Sequence, residues 1–147
     1  MKSYKIRVDG GGALLFLFIM LPNLFWAAVP APDDVLRRES CTPLLDAAGS
    51  ACQVLFTAAL CMLVNKTRKP LGATPLVLAS AGCVLAYFIG WGFYYAGFTG
   101  LPVILALTLP PCFAFLFFAA DRKNYVAAVP IAAFTVCHLI HGIMNYV

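Results

Sequence analysis

Charge is the scarcest commodity in this sequence. Only 11% of its 147 residues are Asp, Glu, Lys or Arg, against 63% hydrophobic, and the mean hydropathy is +0.90. A soluble domain carries roughly a quarter charged residues. A chain this short cannot hide so many apolar side chains in one core, so a water-soluble globular class is excluded. The familiar catalytic signatures are missing as well. There is no H-E-x-x-H, no G-x-S-x-G and no C-x-x-C, so zinc hydrolase, nucleophile-elbow and thiol-redox readings have no motif to rest on. No repeat and no low-complexity tract interrupts the chain. The ten Lys and Arg sit in short clusters between apolar runs rather than interleaved with aromatics, which excludes nucleic acid as a partner. Of the six cysteines, all but Cys41 fall inside apolar runs, where cysteine behaves as a small hydrophobe.

What is present is apolar length. Five runs reach the roughly 20 residues that cross a bilayer: about 11–29, 44–64, 76–98, 101–120 and 125–146. The expected fold is all-α, a single transmembrane domain of five helices. The first run, preceded by Lys2, Lys5 and Arg7, also has the layout of a signal peptide. The small residues Ala28 to Ala31 are followed by Pro32, a poor cleavage context, so a retained helix is expected. Thr42-Pro43 and Thr74-Pro75 read as N-cap plus first helical residue. Asp33 reads as the cap of a short surface turn, DDVLRRES, with Arg37 and Arg38 paired to Asp33, Asp34 and Glu39 or to lipid phosphates.

Basic residues orient the bundle. Lys2, Lys5, Arg7, Lys66, Arg68, Lys69, Arg122 and Lys123 fall at one end, and Arg37 and Arg38 at the other. By the positive-inside rule the first end is cytoplasmic. Five helices then place the N-terminus inside and the C-terminus outside.

Small residues predict where helices touch, because close packing replaces hydrophobic drive within lipid. They are Gly82, Ala86 and Gly90 on the third helix, Ala47, Ala48, Ala51, Ala58 and Ala59 on the second, and Ala128 and Ala132 on the fifth. Kinks are expected at Pro22 and Pro110-Pro111, with a smaller disturbance at Pro130.

Polar side chains within the spans are costly and turn inward. On the second helix Asp46, Ser50, Gln53 and Thr57 share a face, as do His138, His141 and Asn145 on the fifth. Asn23 follows Pro22 on the first. At about 1.5 Å per residue, Asn23, Gln53 and His138 all lie roughly 9–12 Å from the outer helix ends. The inner half shows nothing comparable. The expected site is an outward-open polar pocket made by Asn23, Asp46, Ser50, Gln53, His138, His141 and Asn145. Trp91 and Tyr94, with Tyr95, form its aromatic rim at the headgroup level.

Three readings compete for it. The groups can simply hydrogen-bond one another between helices. They can bind or transport a small molecule or a lipid headgroup. They can catalyse, with a histidine as general base or with both histidines and Asp46 around a metal. No catalytic residue, cofactor or metal ligand is assigned. In length and helix number the chain resembles the tryptophan-rich sensory protein family of membrane receptors. It has only Trp26 and Trp91, and Met20 to Trp26 (MLPNLFW) is not that family's proline-aromatic signature, so no residue role is carried over.

The functional expectation is a multi-pass protein of the cell membrane, of the small bacterial cytoplasmic-membrane type. It binds or transports a small or amphipathic molecule, and its binding changes between pH 5 and 8 as the histidines titrate. A homodimer or a partner membrane subunit is the expected assembly, since five helices are few for a complete transporter. The alternative is a structural or accessory subunit without a ligand.

Overall fold

The computed structural model describes residues 3–147; Lys2, one of the orienting basic residues, lies outside them. A short strand β1 (Tyr4–Ile6) precedes α1 (Gly10–Ala28). A single 3-10 turn at Val35–Arg37 follows, then α2 (Pro43–Met62), β2 (Leu63–Asn65), α3 (Pro75–Tyr95), α4 (Leu101–Asp121) and α5 (Tyr125–Tyr146). All five α-helices are long and apolar enough to cross a membrane.

The helices lie α2 on α5, α5 on α4 and α4 on α3, while α1 touches α2, α3 and α4. α4 is the central helix: half of its most apolar window is buried, against about a fifth for each other helix. The core is aromatic, with Phe56 of α2, Tyr87, Trp91 and Tyr94 of α3, and Phe115 and Phe118 of α4 buried together.

Helix ends follow local chemistry. The Thr74 hydroxyl accepts the Val77 N–H at 3.2 Å, as a cap should. Thr42 sits at the cap of α2 but makes no capping bond. The turn at Val35–Arg37 is capped by Asp34 rather than Asp33, and without a side-chain bond. α3 stops at Tyr95, three residues short of the expected end. Gly97 takes φ +90°, its N–H bonds Tyr94 O, and the Phe98 N–H bonds Phe93 O, a Schellman closure. α2 ends two residues early because Leu63–Asn65 leave it to pair antiparallel with Tyr4–Ile6.

Several packing expectations need correction. Gly90 meets Ala106, where an added Cβ would lie 3.0 Å from the Ala106 Cβ, but Gly82 faces open space. Ala47, Ala48, Ala51 and Ala58 are exposed; α2 packs instead through Gly49, Phe56, Ala59 and Leu60. Ala132 is exposed too, and α5 packs through Ala127, Ile131 and Gly142. Apolar surface that is exposed here has lipid as its natural solvent, so spacing of small residues alone does not tell which stripe meets protein. Pro22, Pro110, Pro111 and Pro130 all lie within unbroken helices.

The inner half is not empty of polar groups. At the basic end Asp9 and Arg122 are each only 5% exposed. Asp9 caps α1 through the Gly11 N–H, pairs with Arg68, and lies 3.6 Å from Arg122 Nε. Arg122 Nη1 donates to Lys69 O at 2.8 Å, and the Thr74 hydroxyl donates to Asp121 at 2.5 Å. Asn124 donates to Ala59 O and Leu63 O, while Asn65 and Tyr4 donate to Lys123 O. In the sequence Arg68, Lys69, Arg122 and Lys123 serve only to orient the bundle; here, with Asp9, Asn65 and Asn124, they tie the start of α1, the strand pair and the end of α4 into one knot.

Candidate functional site

The opposite end of the bundle holds the expected constellation, split between two spaces. The first is a cavity of about 220 Å³ at the centre, to which every helix contributes. Asn23 of α1, Gln53 and Phe56 of α2, Tyr87 and Trp91 of α3, Thr108 of α4, and His138 and Tyr146 of α5 line it, with Leu36 from the loop above. Asn23, Gln53 and His138, placed at one depth by counting residues, do share this wall.

The second space is a groove of about 180 Å³ between α2 and α5, lined by Asp46, Ser50, Cys137 and His141 among others. Gln53, Phe134 and His138 border both spaces. They form the partition between groove and cavity, and Phe134 stacks on the His138 ring with centroids 5.0 Å apart.

The hydrogen bonds show which polar groups are already engaged. Asn23 donates to the Tyr87 hydroxyl at 2.7 Å and to Ile19 O at 3.0 Å. Thr108 donates to Ile104 O within its own helix. His141 Nδ1 lies 2.5 Å from Asp46 Oδ1, and its Nε2 lies 2.9 Å from the Tyr146 hydroxyl. Asn145 lines neither space. Its side chain accepts the Cys41 N–H at 2.6 Å and donates to the Thr42 hydroxyl and to His141 O. It anchors the loop before α2 onto α5.

Other groups in the cavity wall are unengaged. Trp91 is 6% exposed, and its indole N–H is buried without an acceptor among the described residues. The neighbouring Tyr87 hydroxyl accepts from Asn23 and lies close to the indole, but not in hydrogen-bonding geometry with its N–H. Gln53 and His138 make no side-chain hydrogen bond to the described residues. Thr57, on the same α2 face as Gln53, also has a buried hydroxyl without a partner.

The aromatic rim needs correction. Trp91 is a wall of the central cavity. Tyr94 is fully buried and does not line it. Its hydroxyl donates to Asp34 at 2.8 Å and accepts the Leu36 N–H at 3.1 Å. Tyr95 donates to Val29 O at 2.5 Å. Asp34 also accepts the Trp26 indole N–H at 2.8 Å and pairs with Arg37 at 2.7 Å. Arg37 lies 4.8 Å above the Trp26 ring. These contacts fasten the loop between α1 and α2 over the cavity, with Leu36 pointing in. Burial pushes the Asp34 carboxyl up, but the bonds from Trp26, Arg37, Tyr94 and the Ala31 N–H outweigh it and hold it below the usual carboxylate value.

Tyr87, Tyr146, Leu36 and the side-chain role of Thr42 were not legible as site residues. Tyr87 had a signal, since it shares a helical face with Trp91 and Tyr94. Tyr146 had none, because it reaches His141 from five residues away. Among the described residues, no group of three or more His, Cys, Asp or Glu is placed to hold a metal ion; the two histidines and Asp46 form no such centre. Comparison with protein-family descriptions, with characterised proteins and with solved structures yields no match to this chain.

Proposed function

We propose that this protein binds a small, uncharged, amphipathic molecule in its central cavity and exchanges it through the groove between α2 and α5. The observation that carries this reading is the buried Trp91 N–H, without an acceptor, in a cavity wall that also holds Gln53 and His138 unbonded. A buried donor left unsatisfied costs about 1–3 kcal/mol. Three polar groups that merely glued helices together would bond one another. An occupant with a hydrogen-bond acceptor satisfies them.

The cavity also limits the occupant. At about 220 Å³ it lies between the ~150 Å³ that holds benzene and the ~300 Å³ where drug-sized sites begin. No Asp, Glu, Lys or Arg lines it, so a charged ligand would enter without a counter-ion. A compact ring or short chain with one carbonyl or hydroxyl fits.

The basic end, with Lys5, Arg7, Lys66, Arg68, Lys69, Arg122 and Lys123, is the cytoplasmic one by the positive-inside rule. The groove therefore opens outward, in a cell membrane of the bacterial cytoplasmic type. A single-sided opening supports binding or sensing; transport would need a second route, supplied by a dimer or a partner subunit.

Acetophenone and α-methylstyrene are matched in shape, and only the ketone accepts a hydrogen bond. Purified protein carrying Trp26→Phe reports on Trp91 alone. Saturable quenching and thermal stabilisation by aromatic ketones, weaker with the hydrocarbon and lost in Trp91→Phe or Gln53→Leu stability scans, are the expected results. If no uncharged carbonyl compound in such a series stabilises the protein, the binding reading fails and a ligand-free accessory subunit takes its place.

A further inference from the structure

We propose that His141 is a proton switch: its protonation from the groove moves the Tyr146 hydroxyl from His141 to the Leu36 carbonyl and so alters the wall and roof of the cavity. As regulation of ligand binding this rests on the reading above. The switch itself does not.

The geometry fixes where the protons sit. Two bare acceptors cannot lie 2.5 Å apart, so a proton lies between His141 Nδ1 and Asp46 Oδ1. The competing neighbours of Nδ1 have other partners. Asn145 Nδ2 donates to the Thr42 hydroxyl and to His141 O, both at 2.9 Å. Asp46 therefore holds the imidazole with Nδ1 protonated. That leaves Nε2, in the neutral ring, as an acceptor for the Tyr146 hydroxyl at 2.9 Å.

A proton added at Nε2 ends that bond, because Nε2–H can only donate. The phenol keeps its own proton and needs another acceptor. One is already in place: Leu36 O lies 3.5 Å from the Tyr146 oxygen. The proton count closes, since His141 gains one proton from the groove and Tyr146 only redirects its O–H. The route exists as well, because His141 and Asp46 line the groove with 19% and 32% of their side chains exposed.

Both ends of the moving bond belong to the cavity. Tyr146 and Leu36 line it, and the Leu36 N–H is held by Tyr94, which is tied to Asp34. A stronger hydrogen bond at Leu36 O draws the loop toward α5. The titratable groups that face His141 are Asp46 from α2, and His138, Cys137 and Tyr146 from α5. Tyr94 of α3 and Asp34 stand beyond Leu36. No Lys or Arg lines the groove. Histidine is the side chain whose charge changes between pH 5 and 8.

The test uses the whole chain in lipid nanodiscs. It has two histidines, and Leu36-Arg37 is its only Leu-Arg pair. Nitrogen-15 labelling of histidine therefore gives two rings, and carbonyl-13C leucine with nitrogen-15 arginine isolates the Leu36 carbonyl. The expected result at pH 8 is a His141 ring protonated at Nδ1 only. Lowering the pH to 5 adds the Nε2 proton, and the Leu36 carbonyl signal moves with the same midpoint. In Tyr146→Phe the ring still titrates and the Leu36 signal stays still. A bare Nδ1 at pH 8, a Leu36 signal indifferent to pH, or one that still moves in Tyr146→Phe overturns the switch. Acetophenone affinity is expected to change at least about fivefold over the same range, and not in His141→Gln. Pronounced pH dependence of the carbonyl signal with no binding of acetophenone sinks the binding reading and leaves the switch.

Discussion

Gly12 of α1 lies directly against the backbone of Leu60 in α2: a Cβ on Gly12 would come within 2.6 Å of the Leu60 carbonyl oxygen. That oxygen belongs to the main chain and cannot swing away, so a side chain at position 12 must push the helices apart. Gly12→Ala is expected to cost about 1–3 kcal/mol, the range for an overfilled contact. Gly82→Ala is the control, because nothing lies within 4 Å of its added methyl. It should be neutral, or stabilising by up to about 1 kcal/mol through helix propensity. Unfolding of both variants in mixed micelles separates the two cases. Equal stability of the two would show that α1 is not seated on α2 at this point.

Asp9 is the hub of the basic end. It is the carboxylate partner of Arg68 and, with Asp121, of Arg122, whose Nε has no hydrogen-bond partner among the described residues. Asp9→Ala leaves the buried guanidinium with only the Asp121 carboxylate, 3.8 Å from Nη1, and weakening such a pair costs up to about 3–5 kcal/mol. Adding Arg122→Met removes the under-compensated charge. The double variant should therefore be markedly more stable than the sum of the single losses predicts. Simple additivity in a double-mutant cycle would mean that the two residues do not share an interaction.

Lys123 closes α4 in the left-handed region, at φ 53°, a conformation that costs a side-chain-bearing residue about 1–2 kcal/mol. Tyr4 and Asn65 use only its carbonyl, which glycine retains. Lys123→Gly is expected to raise stability by about 1 kcal/mol on those grounds. A lower melting temperature would mean that the lysine side chain contributes more than its backbone costs.

The spans were legible because a bilayer-length apolar run leaves a chain little choice, and Thr74-Pro75 marked a helix start by purely local chemistry. The early end of α2 was not, since Leu63-Val64 continues its apolar character and only a strand some sixty residues away draws it out of the helix. In the site, helical spacing placed Gln53 and His138 on converging faces. Position at the end of α3 misplaced Tyr94 and set Trp91 at a rim rather than in the wall, because an aromatic near a helix end is ordinarily an interface anchor. What overrode that tendency at Tyr94 is Asp34, in a loop whose fold depends on partners in α1 and α3. Asp9 drew no reading, and Arg122 only one as an orienting charge, for a related reason. Charges beside short loops look solvated until the loops are seen to close over one another.

Asp34 also makes the loop above the cavity sensitive to acid. Its carboxylate accepts from Trp26, Tyr94 and Arg37 and from the Ala31 N–H, and these bonds hold its carboxyl below the ordinary value of 3.8. A carboxyl depressed by folding stabilises the folded state fully above its unfolded value, and the contribution is lost as pH falls through the lower, folded one. The loop should therefore stay fastened from neutral pH down to about pH 4, and loosen below it. In a Trp91→Phe background, Trp26 is the sole indole. Its emission should shift below about pH 4, as the indole N–H loses its charged acceptor. Asp34→Asn should give an acid-like spectrum at neutral pH, with no further step on acidification. If the two proteins have the same spectra at pH 7, Asp34 does not fasten the loop. If the protein that keeps Asp34 shows no step below about pH 4, Asp34 does not fasten the loop; a step between pH 5 and 8 belongs to His141.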